Sequence, residues 1–258
     1  MILKTLKKIM LKKVGGNMEV LLRCEKCGGV LLYRNEDGVD KGVFCECQQK
    51  ERIERRINKY RNMSITDRNN SQDTFERAKT GSKAEEEIYQ KFKKYAENFH
   101  IAKQDNIGLM LAGGAGTGKT YVANCISNKI MQKGYTVLSF NLSRYLMAIR
   151  ENFPEEEKLL NAVKTVDLLF IDDVGSEKLT DWGLEKVFNL IDMRYRANLP
   201  IMITTNLKLS DLKRHLNFNE SDKIVDRMIE MTKVFQFDWE SKRKEKNKNK
   251  ESFWENIA

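Results

Sequence analysis

The sequence predicts an α/β protein, a parallel sheet with helices on both faces, preceded by a small cysteine-bearing module. Three observations predict it. Short apolar runs alternate with helically spaced apolar residues from Ile107 to Phe237. Between the first run and the helix after it lies Gly113-Gly114-Ala115-Gly116-Thr117-Gly118-Lys119-Thr120, which fits G-x-x-x-x-G-K-[ST] at every fixed position. Four of the five cysteines fall between residues 24 and 47.

Length and composition allow one large domain and something smaller in 258 residues. Charged residues make up 32% of the chain, and no apolar run approaches the ~20 residues of a membrane span, so a cytoplasmic protein with no membrane partner is expected. Met1 to Lys13 alternates apolar residues and lysine without a cleavage site, and is not a secretory signal. Ile2, Leu6 and Ile9 share one helical face there, read as docking on protein rather than on a bilayer. The net charge of +9 is concentrated at the ends, with five lysines before residue 14 and six Lys or Arg from Lys242 to Lys250. Such runs suit phosphate backbones and make nucleic acid a candidate partner.

In order, the first element is the cysteine module. Cys24 and Cys27 have two residues between them, Cys45 and Cys47 have one, and seventeen separate the pairs. Four thiolates in two close pairs suit a tetrahedral zinc ion, which folds a segment too small for its own core. The alternatives are two disulfides, which need an oxidising compartment, and unligated thiols. Val30 to Tyr33 reads as a strand between the pairs, and Gln48 to Arg61, with Ile53, Ile57 and Tyr60 on one face, as a helix leaving the module. Met63 to Thr80 is polar and reads as a linker. Ile88, Phe92, Tyr95 and Phe99 then mark an amphipathic helix. The expected boundaries are 1–62 for the zinc module, 63–82 for the linker, 83–240 for the main domain and 241–258 for a basic tail.

The glycine-rich loop follows the strand Ile107 to Ala112 and opens a helix carrying Val122, Ile126 and Ile130. Glycines let backbone N–H groups wrap a triphosphate at a helix N-terminus. Lys119 reaches the β- and γ-phosphates, and the Thr120 hydroxyl sits on magnesium. Cys125, on the apolar side of this helix, reads as a core residue. Thr136 to Phe140 is the next strand, and Leu142 to Phe153 a helix bearing Arg144, Tyr145 and Arg150. Val166 to Ile171 delivers Asp172 and Asp173 at its end: the first carboxylate to hold magnesium, the second to orient or deprotonate the attacking water. A helix from Thr180 or Asp181 turns Leu184, Val187, Phe188, Ile191 and Tyr195 inward. Ile201 to Ile203 is a strand ending in Thr204-Thr205-Asn206. A helix from Asp222 to Met231 and a strand from Val234 to Phe237 complete the pattern.

Together the phosphate loop, Leu168 to Gly175, Ile203-Thr204-Thr205-Asn206 and Asp226-Arg227-Met228 resemble the AAA+ ATPases. More narrowly, with Trp182, Arg194-Tyr195-Arg196 and Phe237 to Arg243, they resemble the DnaC/DnaI-type helicase loaders, with the IstB-like transposition ATPases close by. The resemblance covers roughly residues 70 to 243 and implies a five-stranded parallel AAA+ sheet with a small C-terminal helical part. It implies ATP and Mg2+ at Gly113, Gly114, Ala115, Gly116, Thr117, Gly118, Lys119, Thr120 and Asp172. Asp173 takes the place of the usual catalytic glutamate, Asn206 matches the sensor-one residue, Arg227 the arginine finger donated between subunits, and Arg243 the second-sensor arginine. Lys242 departs from the pattern, which usually has an aromatic residue there. The cysteine module is similar to the Zn2+-binding, helicase-docking domain of such loaders. The implied function is an ATPase, weak alone, that self-associates on a replicative hexameric helicase and places it on single-stranded DNA. Arg144, Tyr145 and Arg150 lie on the segment that resembles the DNA-facing insertion of initiator-like AAA+ proteins, where one aromatic among basic residues suits stacking on a single strand; the alternative is that Tyr145 packs in the core and the arginines are solvated. The alternatives are a transposition helper and an adapter that binds ATP without turnover.

Overall fold

Two units divide the chain after Lys59, and a computed structural model describes residues 18–66, 70–151, 153–218 and 221–242. The expectations for Met1 to Lys13, for Arg243 and for the basic tail beyond Lys242 lie outside the described residues.

In the first unit, β1 (Glu19–Arg23), β2 (Val30–Arg34) and β3 (Asp40–Gly42) form an antiparallel meander in that order, followed by α1 (Glu46–Met63). The β2–β3 turn is closed by Asn35, whose Oδ1 accepts the Val39 N–H at 2.8 Å, with Gly38 at φ 75°. Aliphatic burial does not hold this meander together. Leu22 is 53% and Phe44 51% exposed, whereas Cys24 and Cys45 are buried. A segment whose interior is made of thiols rather than aliphatics needs another cohesive term.

The second unit is built on a sheet of β5 (Val137–Asn141), β6 (Leu168–Val174), β7 (Ile201–Thr205), β4 (Gly108–Gly113) and β8 (Thr232–Phe237), side by side in that order and all parallel. Strands buried on both faces are apolar throughout and sort their side chains by alternation. Leu109, Leu111, Leu168, Phe170 and Met202 join one core with Phe92, Phe99 and Ile126. Met110, Leu169, Ile171, Ile201 and Ile203 join the other with Phe140, Tyr145 and Leu190. The helices between are α2 (Lys83–Glu97), α3 (Phe99–Gln104), α4 (Lys119–Gln132), α5 (Leu142–Glu151), α6 (Phe153–Thr165), α7 (Asp181–Arg196), α8 (Leu209–His215) and α9 (Lys223–Met231). Among the described residues no helix is long and apolar enough to cross a membrane.

Three expectations are corrected here. The stretch read as a linker is fastened to the second unit. Ile65 pairs with the edge of β5, donating to Ser139 O at 2.9 Å and accepting from Asn141 N–H at 3.0 Å. Asn70 and Asp73 bond Asn124, and Asn128 Nδ2 donates to the carbonyls of both. The polarity that reads as looseness matches a polar face on α4. Tyr145 is not a base-stacking residue. It is fully buried and stacks on Phe140 at 4.7 Å between ring centroids, and burial raises its pKa. Arg144 and Arg150 remain exposed on α5. Finally, Leu142 to Phe153 is not one helix, since α5 ends at Glu151 and α6 begins at Phe153.

Arg194 has no exposed surface. Its guanidinium donates to the carbonyls of Val163, Val166, Asp167 and Pro200 at 2.8 to 2.9 Å, tying the end of α6 to the loop before β7. Burial lowers its pKa to about 9, which still leaves it charged at neutral pH. A guanidinium spent on four carbonyls is not available to another subunit.

Candidate functional site

The carboxyl ends of β4, β6 and β7 meet around one cavity of about 790 Å³ lined by Gly116, Lys119, Thr120, Asp172, Asp173 and Asn206, among others. In a parallel α/β sheet this is where ligands bind. Gly113, Gly116 and Gly118 have φ of 147°, 82° and 94°, values that a side chain disfavours. At Gly113 a Cβ would also stand 2.5 Å from Phe237 O on the neighbouring strand. The loop therefore needs its glycines for conformation as well as for access.

The polar groups form one connected chain. Lys119 Nζ donates to Gly113 O at 2.7 Å, to Gly114 O at 2.8 Å and to Asn206 Oδ1 at 2.8 Å. Asn206 Nδ2 donates in turn to Asp173 Oδ1 at 2.7 Å. Thr120 Oγ1 donates to Asp172 Oδ1 at 2.8 Å, and Thr204 Oγ1 donates to the same oxygen at 2.6 Å. Thr204 Oγ1 also accepts the Asp173 N–H at 2.8 Å. Asp173 lies at φ 60°, where the β6–β7 register shifts between Ile171 and Val174. Such a bulge re-aims side chains, and aspartate tolerates the left-handed conformation better than most residues. Residues from three separate stretches, Gly113 to Thr120, Asp172-Asp173 and Thr204 to Asn206, are thus joined within hydrogen-bond reach. Ala115 also lines the cavity, and Thr117 Oγ1 donates to Gly114 O at 2.9 Å. Thr204 went unassigned in the sequence, although it stands in the Thr204-Thr205-Asn206 stretch.

Arg227 does not line this cavity. It sits on α9, with Nη2 3.1 Å from Asp192 Oδ1 and its guanidinium over the rings of Phe188 and Tyr195 at 5.0 and 5.5 Å. Its side chain keeps 25% of its surface exposed. Cys125 is buried in α4, and burial pushes its thiol up to about 12.

A second cluster lies in the first unit. The four sulfurs of Cys24, Cys27, Cys45 and Cys47 all fall within 4.8 Å of one another. Sulfurs at the corners of a tetrahedron with ~2.3 Å metal–sulfur bonds stand about 3.8 Å apart. Two of the distances are 3.4 Å, Cys24 to Cys47, and 3.2 Å, Cys45 to Cys47. The first pair sits on a tight knuckle in which Cys24 N–H donates to Gly29 O and Gly28 N–H to Cys24 O, both at 2.8 Å. Backbone N–H groups at Cys27 and Lys26, with the Cys47 thiol, hold Cys24 near a thiolate and lower its pKa to about 6. The donor set and spacing fit a four-thiolate metal site.

Residues 41–250 match the family described as IstB-like ATP binding protein. The chain belongs to this family. The chain is similar to the phage-like element PBSX protein XkdC of Bacillus subtilis, 27% identical over 202 residues, 75% of this chain and 74% of XkdC. The replicative helicase loader DnaI of Bacillus subtilis is 25% identical over 147 residues, 53% of this chain and 47% of DnaI, so the chain spans about half of that relative. A crystal structure of the DnaC helicase loader overlays with a TM-score of 0.57 at 24% identity, covering 64% of this chain and 96% of that one. That overlay is a likeness of fold, a parallel five-stranded sheet with helices on both faces.

Proposed function

We propose that the protein is an ATPase that assembles on a replicative hexameric helicase and delivers it onto single-stranded DNA. The observation that carries the chemistry is the chain Lys119–Asn206–Asp173, which links the phosphate loop to a carboxylate across three strands. The partner is inferred from DnaI and DnaC, which are helicase loaders by name. A triphosphate takes the place of the Gly113 and Gly114 carbonyls as the ligand of Lys119. Thr120 and Asp172 would hold magnesium, which screens the phosphate charge when bound. Asn206 steers the attacking water and Asp173 accepts its proton, so ATP binding and hydrolysis report on one hydrogen-bond relay. Arg227 serves a neighbouring subunit, Arg243 takes the second-sensor role that the resemblance implies, and Arg144 and Arg150 contact the DNA strand. The domains are 1–62 for docking, 83–240 for ATP, with Ile65, Asn70 and Asp73 of the intervening 63–82 held on the ATP domain, and 241–258 as a basic tail.

The test is reconstitution with a replicative hexameric helicase. The two should co-purify, and ATP turnover should rise when helicase and single-stranded DNA are both added. Turnover unaffected by helicase but raised by duplex DNA favours the transposition-helper reading. Tight ATP binding with no turnover under any condition favours the adapter, for which Asp173 in place of glutamate is the specific motive.

The cysteine cluster we assign to zinc. Purified, reduced protein should carry about one zinc per chain by elemental analysis. Cys24→Ser with Cys27→Ser should lose it and unfold the meander, measured as amide-exchange protection over β1 to β3, while the ATP domain keeps its own core. Zinc-free protein with a protected meander would refute the assignment.

A further inference from the structure

The chain after β8 grips the phosphate loop, and its Lys242 lines the cavity beside it. Trp239 Nε1–H donates to Thr117 O at 2.8 Å, and the Lys242 backbone N–H donates to Gly116 O at 3.0 Å. In a trans peptide unit the carbonyl and the next residue's N–H point to opposite sides. Holding the carbonyls of Gly116 and Thr117 therefore also fixes the direction of the N–H groups of Thr117 and Gly118, and Gly116 and Gly118 both line the cavity. The carbonyls of Gly113 and Gly114, by contrast, face Lys119 Nζ.

The grip is itself anchored. The Trp239 ring packs on Phe237 with centroids 4.6 Å apart. The Lys242 ammonium pairs with the carboxylate of Glu85, whose side chain is 2% exposed, and lies 5.5 Å from the Tyr89 ring centroid. Glu85 is fixed in turn at the start of α2, where its Oε2 accepts the Gly81 N–H at 2.7 Å and Ser82 caps the helix.

We propose that Trp239 and the Lys242 backbone form a clasp that presets the loop's N–H donors for a polyphosphate, making Trp239 a positioning residue. This rests on the reading of the cavity as a triphosphate site. The clasp acts on phosphate rather than on the nucleoside, so it makes a separable prediction. Trp239→Phe keeps a ring against Phe237 and removes only the donor. It should weaken both MgATP and inorganic tripolyphosphate by about tenfold, the scale of one hydrogen bond serving a charged ligand.

Both probes are to be measured by competition on the full chain, with the thermal midpoint as a control on folding. A second pair of variants covers the case in which Trp239→Phe does not fold. Lys242→Pro and Lys242→Met both lose the ammonium, and only the first loses the N–H. Each is made with Glu85→Gln so that no buried carboxylate is left without its cation. The proline variant should bind both probes about tenfold more weakly than the methionine variant. Unchanged affinity for both probes in Trp239→Phe and in the proline–methionine comparison overturns the clasp while the site reading stands. Loss for MgATP alone also overturns it, because the effect then lies at the nucleoside. Parent protein that binds neither probe fails the site reading itself.

Discussion

Asp173→Asn is expected to bind ATP at the parent affinity and to hydrolyse it at least ~100-fold more slowly, the lower end of what a positioned general base contributes. The substitution is unusually clean at this position. Asp173 sits at φ 60°, and asparagine is among the few residues that tolerate that region. The Asn206 Nδ2–H now given to Asp173 Oδ1 at 2.7 Å has an amide oxygen to accept it in the variant. The Asp173 N–H bond to Thr204 is backbone and stays. What disappears is a group able to take the proton of the attacking water. The measurement is single-turnover hydrolysis beside nucleotide affinity, so that chemistry and binding are read separately. Turnover at the parent rate would show that no proton passes to Asp173 and would move the base elsewhere. The same geometry bears on aspartate standing where related sites have glutamate: at φ 60° within a register shift, a short side chain already reaches Asn206.

The parts of the site that were legible in the sequence are those written in consecutive residues. Gly113 to Thr120, an apolar run ending in Asp172-Asp173 and a strand ending at Asn206 are each local patterns, and each strand of the second unit was found within about three residues, whereas β1 and β3 of the first unit went unread. What joins them is not local. Lys119 and Asn206 are 87 positions apart and Asn206 and Asp173 33 apart, and only the sheet order brings them together. The misreadings have physical causes of the same kind. The buried role of Arg194 is not legible either, because nothing nearby in sequence shows that the carbonyls of Val163, Val166, Asp167 and Pro200 need its donors. Tyr145 was left open between stacking on a base, suggested by its basic neighbours, and packing in the core, although Leu142, Tyr145, Leu146 and Ile149 repeat at helical spacing and all four are buried. Trp239 was noted for its motif alone, since the carbonyl it serves lies 122 residues away.

Arg227→Ala should leave ATP binding intact and cost ~10³-fold or more in turnover with helicase and single-stranded DNA present, the scale set by arginine fingers in other phosphoryl-transfer systems. The structure supplies a reason to expect a folded variant. Asp192 faces two arginines, Arg227 at 3.1 Å through Oδ1 and Arg196 at 2.7 Å through Oδ2, so removing Arg227 does not leave the carboxylate without a cation. It also sets a condition on mechanism. Within one chain the Arg227 charge is already answered by Asp192, so a finger acting on a neighbour has to exchange that carboxylate for a γ-phosphate. An exchange of partners is cheap when Arg196 remains to satisfy Asp192. The decisive measurement mixes two inactive proteins. Arg227→Ala keeps an intact phosphate loop and Lys119→Ala an intact finger, so a mixed assembly contains some sites with both. Partial recovery of turnover on mixing is the expected result. No recovery at any ratio, with both variants folded and bound to helicase, would count against donation between subunits. Parent-level turnover by Arg227→Ala alone would end the assignment. The search would then pass to Arg196, whose side chain is 77% exposed, and not to Arg194, whose donors are all taken within its own chain.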